Sequence, residues 1–278
     1  MIRPAAPGFN PETAASNRFQ ADSPAPTEQI LREFDGLVEV LRAAGVSVWL
    51  LEDSPNPPKP DAHFPNNWVA FFPVGRAAVF PMLSEARRAE RRSDILDART
   101  VTDLSRYELE GEFLEGTGSV VLDHEHRIAY ACESPRTCAR PLEMFCQAFN
   151  YFPLTFTARD RSGELIYHTN VVMSLGAKFA VLCKEAIEHP NRVIAELRLT
   201  GKEIIEITMD QLHAFAGNCL ALSGTDGPVI VMSSQAYGSL RTDQIEALSR
   251  HGKIIHAPLD TIEAVGGGSA RCMLAEVF

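Results

Sequence analysis

The sequence predicts an α/β fold in which five ββαβ units close into a single propeller. Three observations carry this expectation. Paired apolar runs bounded by turn residues read as strands, and they alternate with stretches of helical apolar spacing. The first strand of each round begins near residues 68, 119, 168, 218 and 271, a period of about fifty. The last strand, Arg271–Val277, lacks later partners, so a fifth unit is expected to be shared by both termini. An open α/β sheet is the alternative architecture.

In the first unit, Trp68–Phe72 and Ala77–Met82 read as strands around Pro73-Val74-Gly75-Arg76, and Ser84–Asp97 reads as a helix. The second has strands Ser119–Asp123 and Ile128–Glu133 around the polar turn His124–Arg127. A helix with Leu142, Phe145, Cys146 and Phe149 on one face and the strand Tyr151–Phe156 follow. The third runs His168–Met173, Phe179–Cys183, a helix from Asn191 to Arg198 and Glu203–Ile207. The fourth runs Asn218–Leu222, Val229–Met232, a helix Thr242–Arg250 and Lys253–Ala257. The fifth joins Arg271–Val277 to a strand near Ile2-Arg3, a helix Glu28–Ala44 and the strand Val46–Leu51. That helix carries Ile30, Leu31, Phe34, Leu37, Val38 and Leu41 on one stripe, with Gly45 as its stop.

The 278 residues, 45% hydrophobic, suffice for one domain spanning 1–278 with a sizeable core. A formal net charge of -10 argues against nonspecific binding to nucleic acid or an anionic membrane. No leader-like apolar stretch opens the chain, and nothing approaches the roughly 20 apolar residues of a membrane span. Six cysteines, at 132, 138, 146, 183, 219 and 272, form no CxxC pair and suit a reducing compartment, so a cytoplasmic location is expected.

Polar residues recur where the first strands start: Asn66-Asn67, Glu115, His168, Asn218 and Cys272. In a five-fold ring these positions converge on one end of the axis. A cysteine, a histidine and a carboxylate in one place are the parts of nucleophilic catalysis.

The segments FPNNW (64–68), FLEGTGSVVLD (113–123), ESPRT (133–137), YHTNVV (167–172), GNCLAL (217–222) and GGGSARCMLAEV (266–277) resemble, in order, the motifs of the guanidine-modifying, or pentein, superfamily. Arginine deiminases, dimethylarginine hydrolases, amidinotransferases and arginine dihydrolases belong to it. The opening RPAAPGFNPETAASNRFQ and the FPNNW/HTN pair are most similar to its citrulline-hydrolysing branch. The resemblance implies a pentein propeller with Cys272 as nucleophile, His168 as general acid and base, and Glu115 orienting the histidine and holding substrate N–H groups. It implies Arg136 as the clamp on the substrate α-carboxylate, with Arg87 a second candidate for that end. Asn66, Asn67, Asn170 and Asn218 complete the expected substrate-binding set.

Deiminases carry aspartates at the positions of Asn67 and Asn170, which suits a guanidinium cation. Two carboxamides, each with a donor and an acceptor, suit a neutral ureido group. His168 and Asn170 are i, i+2 on an expected strand and would face the same side. The expectation is therefore a carbon–nitrogen hydrolase acting on citrulline through an S-carbamoyl enzyme and giving ornithine, ammonia and carbon dioxide. Gly266-Gly267-Gly268 would let the backbone approach the reacting carbon. No metal or organic cofactor is required, the partner is a small amino acid, and a homodimer stays open.

Each residue also has a plainer reading. Cys272 beside Met273 and Leu274 could be a buried structural thiol, His168 a core histidine and Glu115 a turn carboxylate. Arg87 and its neighbours read more readily as a charged helix face, and Asn10, Asn17 and Gln20 as loop formers. His124-Glu125-His126 reads as a solvated turn and not a metal site, and GGGS lacks the lysine of a phosphate loop. The rival functions are a guanidino hydrolase (arginine deiminase, dihydrolase or dimethylarginine hydrolase), an amidinotransferase and a noncatalytic five-unit binding module.

Overall fold

Each expected hairpin forms and gains a third strand by way of a helical crossover. The computed structural model describes residues 1–22, 26–97 and 99–278. In the first sheet Val69–Phe72 runs antiparallel to Arg76–Val79, which runs parallel to Thr100–Asp103. The same order recurs in Val120–Asp123, Ile128–Cys132 and Phe152–Phe156. It recurs again in Met173–Leu175, Phe179–Leu182 and Glu203–Glu206, and in Leu220–Gly224, Gly227–Ser233 and Lys253–Ala257. The second strand is always central, because a tight turn joins antiparallel neighbours and a helix returns the chain parallel.

The crossover helices Ala139–Phe149, Asn191–Leu199 and Thr242–Ser249 bury the stripe their spacing marks, as with Leu142, Phe145, Cys146 and Phe149. Helix Thr27–Ala43 packs Ile30, Phe34, Leu37, Val38 and Leu41 in one cluster with Val229, Val231 and Ile255 of the fourth sheet. It stops at Gly45, whose φ of +76° a side chain would strain and whose added Cβ would lie 2.1 Å from Thr225 Oγ1. Among the described residues no helix is long and apolar enough to cross a membrane.

The fifth unit departs most from expectation. Ile2–Arg3 pairs in parallel with Leu51–Glu52 alone, so most of the expected strand Val46–Leu51 makes no ladder. Arg271–Val277 is not a strand: Ala270–Met273 forms a 3-10 turn, and Arg271 Nη1 donates to Leu274 O at 2.8 Å, occupying a carbonyl that a ladder would use. A cavity of about 920 Å³ is lined by Val46–Trp49 and by Leu274–Phe278. Ala275 nevertheless packs in one cluster with Ile2, Leu51 and Trp68.

The expected helix Ser84–Asp97 is also cut short, to Glu85–Arg88 and a 3-10 turn Ser93–Ile95. Its arginines do not form a solvated face. Arg88 Nε donates to Met82 O, Arg91 Nη2 to Phe80 O and Arg92 Nη1 to Glu52 O, and these bonds hold the chain out of helical register. The edge strand Thr100–Asp103 escaped the sequence reading because it is mostly exposed and shows no apolar alternation.

Candidate active site

The first strands begin later than the apolar runs suggest, because a helical turn precedes most of them. Pro65–Asn67, Gly116–Ser119 and Thr169–Val172 are such turns, Ala270–Met273 is a like turn with no strand after it, and Asn218 lies just before Leu220–Gly224. Each turn presents the polar residue at its start or within it. His168 and Asn170 consequently do not share a strand face. His168 is the N-cap residue of its turn, whereas Asn170 lies inside it.

Five of the expected residues, Asn67, Arg87, Arg136, His168 and Cys272, line one cavity with Thr13, Asn17, Asp61, Phe64, Tyr167 and Gly266–Gly268. About 10 Å³ of free volume remains between them, room for hardly more than one water. Glu115, fully buried, stands behind the histidine. Its Oε2 lies 2.8 Å from His168 Nε2 and 3.4 Å from Arg136 Nη1, and its Oε1 accepts from Leu83 N at 3.1 Å.

Burial pushes the Glu115 carboxyl up, but the Arg136 guanidinium, the histidine bond and Arg87 outweigh it and hold the group well below the usual carboxylate range. Burial drives the His168 imidazole down to about 4, with Arg136 and Arg87 adding to the fall against Glu115. At neutral pH the ring is therefore uncharged, and Arg136, the His168 N–H bond and Arg87 together hold Glu115 ionised. Its Nε2–H donates to Glu115, which leaves Nδ1 as the nitrogen able to take a proton. Gly118 keeps that edge open: an added Cβ would sit 2.6 Å from His168 Nδ1 and 2.5 Å from Asn67 Nδ2.

Cys272 is buried, and its Sγ is touched by two carboxamides. Asn170 Nδ2 and Asn218 Nδ2 each donate at 3.4 Å. Asn218 is itself held, donating to Asn170 O at 3.0 Å and accepting from Arg271 N at 3.0 Å. Neither asparagine borders the cavity that Cys272 shares with His168; both meet the thiol instead. Asn170 instead faces a separate cavity of about 270 Å³, bordered by residues of the first strands of all four three-stranded sheets. Asn66 is buried but does not line the Cys272 cavity; its backbone packs on Gly116, where a Cβ would meet Asn66 O at 2.1 Å.

Arg136 lines the cavity while anchored by Thr13 O at 2.8 Å and by Ser16 Oγ, and it lies 5.0 Å over the Tyr167 ring. Burial pushes the Tyr167 phenol well up, so it stays a donor, to Gly267 O. Arg87 pairs with Glu90 and Asn67 and is not left free at the expected carboxylate end. The glycine run is placed by helix Asp260–Gly266, whose first turn gives its Thr261 and Ile262 N–H groups to Glu33. Any Cβ at Gly266 or Gly268 would crowd Phe64, and one at Gly267, where φ is +62°, would strike Asn17.

Sequence reasoning missed Asp61, Phe64 and Tyr167 in the cavity wall. Asp61 is buried, accepts from Asn10 Nδ2 at 2.7 Å, and keeps Oδ1 without a partner among the described residues. Burial pushes its carboxyl up against the pull of Arg87. A lone aspartate in a proline-rich loop carries no local signal; Phe64 and Tyr167 open the FPNNW and YHTNVV segments, and that place was the only clue to them.

Residues 3–278 match the family described as N,N dimethylarginine dimethylhydrolase, eukaryotic. A comparison with curated proteins returns no match. Among solved structures, the substrate-bound N-terminal domain of ArgZ, an arginine dihydrolase from the ornithine-ammonia cycle in cyanobacteria, superposes with a TM-score of 0.75 at 17% identity. That superposition covers 100% of this chain and 97% of the domain. Full-length apo ArgZ gives 0.79 at 16% identity, with this chain spanning 40% of its length. A dimethylarginine dimethylaminohydrolase adduct with S-methyl-L-thiocitrulline gives 0.68 at 15% identity, covering 98% and 96%. At such identities the likeness establishes the fold, which is of the pentein type.

Proposed function

Because this chain belongs to the N,N-dimethylarginine dimethylhydrolase family, we propose that it is a cysteine-dependent hydrolase of the terminal carbon–nitrogen bond of an arginine-like amino acid, with citrulline as substrate. The observation that carries the reading is the Glu115–His168 pair at 2.8 Å, whose histidine lies on the wall of the same cavity as Cys272. Glu115 fixes the neutral tautomer, leaving His168 Nδ1 to take the thiol proton. The thiolate adds to the ureido carbon while two asparagine amides donate toward the sulfur. The tetrahedral adduct then expels ammonia, protonated through His168, and an S-carbamoyl enzyme remains. Water activated by His168 cleaves the thioester-like bond, restoring the thiol and releasing N-carboxyornithine, which loses carbon dioxide to give ornithine. Arg136 is suited to the substrate carboxylate and Asp61, with its open oxygen, to the ammonium.

Citrulline is favoured over a guanidinium substrate because Asn67, on the cavity wall beside His168, is a carboxamide without the negative charge that would pair with a cation. The second reading is hydrolysis of methylated arginine, which the family match favours. Purified protein offered citrulline, arginine and N,N-dimethylarginine separately, with ammonia, methylamines and amino acids quantified, decides between them. Ornithine from citrulline with the other two inert supports the proposal. Citrulline and dimethylamine appearing from dimethylarginine would replace it, and Cys272→Ser should abolish turnover in either case.

A further inference from the structure

Arg87 and Asn67 meet in a way that leaves the Asn67 carboxamide one orientation. Arg87 Nη1 lies 2.7 Å from Asn67 Oδ1. A guanidinium has five N–H donors and no acceptor, so the atom facing it must be the carbonyl oxygen, and a flipped amide would set N–H against N–H. Arg87 cannot easily turn aside either. Its Nε and Nη2 grip the two oxygens of Glu90 at 2.9 and 3.0 Å, and Nη2 also reaches Phe64 O at 3.3 Å. Asp61 Oδ2 is 3.7 Å from Nε, and the side chains of Arg87 and Glu90 are 3% and 1% exposed. The free end of the amide, Asn67 Nδ2, has no partner among the described residues. It borders the same point as His168 Nδ1, since one Cβ at Gly118 would touch both.

We infer that Arg87, pinned by Glu90, is a positioning residue that locks the Asn67 carboxamide with its N–H groups toward the reacting group, so that the site selects a carbonyl oxygen there over N–H. The inference rests on the proposed function, since it assumes that a ureido or guanidino group reacts beside Cys272. It also narrows the reason for the selectivity. Asn67 does not present donor and acceptor alike, because its oxygen is turned to Arg87 and its N–H groups point the other way. A ureido oxygen completes the buried amide, whereas a guanidinium, methylated or not, brings no acceptor and leaves Nδ2 unpaired. An unpaired buried N–H of this kind weighs against the analogue by about tenfold.

The test is the ratio of kcat/KM for citrulline to that for arginine in variants that free the amide. Arg87→Met alone strands the Glu90 charge, so Arg87→Met with Glu90→Met removes both charges at similar volume. Glu90→Gln, which keeps Arg87 but loosens its grip, serves as the second variant. Released, the Asn67 amide can present its oxygen to arginine, and the ratio falls by about tenfold in the double variant and in the same direction in Glu90→Gln. A merely structural Arg87 would depress both substrates by one factor. A ratio unchanged within about twofold in a folded variant overturns the lock. The sign of the preference in the unmodified protein tests the proposed function separately: if arginine is preferred there, that reading fails, yet the lock stands provided the variants shift the ratio further toward arginine. If turnover is too slow to measure, calorimetric binding of both amino acids to Cys272→Ala gives the same ratio, and binding of neither overturns both.

Discussion

Replacing Glu115 by glutamine probes the centre of the proposed chemistry without changing its shape. Glu115 Oε2 accepts from His168 Nε2 at 2.8 Å, and its Oε1 accepts from Leu83 N at 3.1 Å. A glutamine has one oxygen for these two tasks. If the oxygen serves Leu83, the amide N–H groups face His168 Nε2, forcing the proton onto Nδ1 and removing the base. If it serves His168, two N–H donors collide at Leu83. The first arrangement resembles other cases of a wrong histidine tautomer, for which about ten-thousandfold in kcat is lost. Losing the carboxylate also strands part of the Arg136 charge. Thr13 O and Ser16 Oγ still hold that guanidinium, so the stability cost is set at about 3 kcal/mol, the low end for a broken buried pair. Ammonia release on saturating citrulline gives kcat, and urea unfolding gives the stability. A folded Glu115→Gln protein with kcat within tenfold of the parent would refute the argument that Glu115 sets the tautomer.

Two further outcomes follow from the same geometry. Gly118→Ala places a methyl 2.5 to 2.7 Å from Asn67 Nδ2 and the His168 ring, both buried and unable to swing away, so kcat should fall by about a hundredfold. The overpacking should cost about 1–3 kcal/mol of stability; a fully active Gly118→Ala protein would show that the ring edge is not where the proton moves. The second outcome concerns acid. Between its ordinary 6.5 and the folded value of about 4, His168 is protonated in the unfolded chain but not in the folded one. Stability conferred by the neutral ring is thus complete above pH 6.5 and lost as pH falls toward 4, by about 3 kcal/mol. Buried carboxyls such as Glu263, raised by burial to about 7, act with the opposite sign, so the quantity to read is the difference between the parent and His168→Gln. Urea midpoints that run parallel from pH 7 to 4.5 in the two proteins would contradict the assignment.

The pattern legible in the residues alone was a periodic one. A spacing of about fifty residues between strand starts marked where Asn67, Glu115, His168, Asn218 and Cys272 fall, and apolar stripes marked Ala139–Phe149 and Thr27–Ala43. Burial of one face is written into residues three or four apart, so such elements are legible without the fold. The partners of each polar group were chosen by packing. Nothing local says that Arg87 will face Asn67 and Glu90 instead of solvent, or that Asn170 and Asn218 will meet at the Cys272 sulfur. Nor does anything local bring Asp61 into the cavity wall, or spend a Leu274 carbonyl on Arg271 so that the last segment forms no ladder. These contacts join residues that are distant in sequence, or rest on a polar group choosing among several acceptors. Such a choice is settled by which acceptors packing brings within about 3 Å once water is excluded. The positions of the candidate residues were therefore readable as a pattern, while the direction in which each amide and guanidinium points is a property of the packed core.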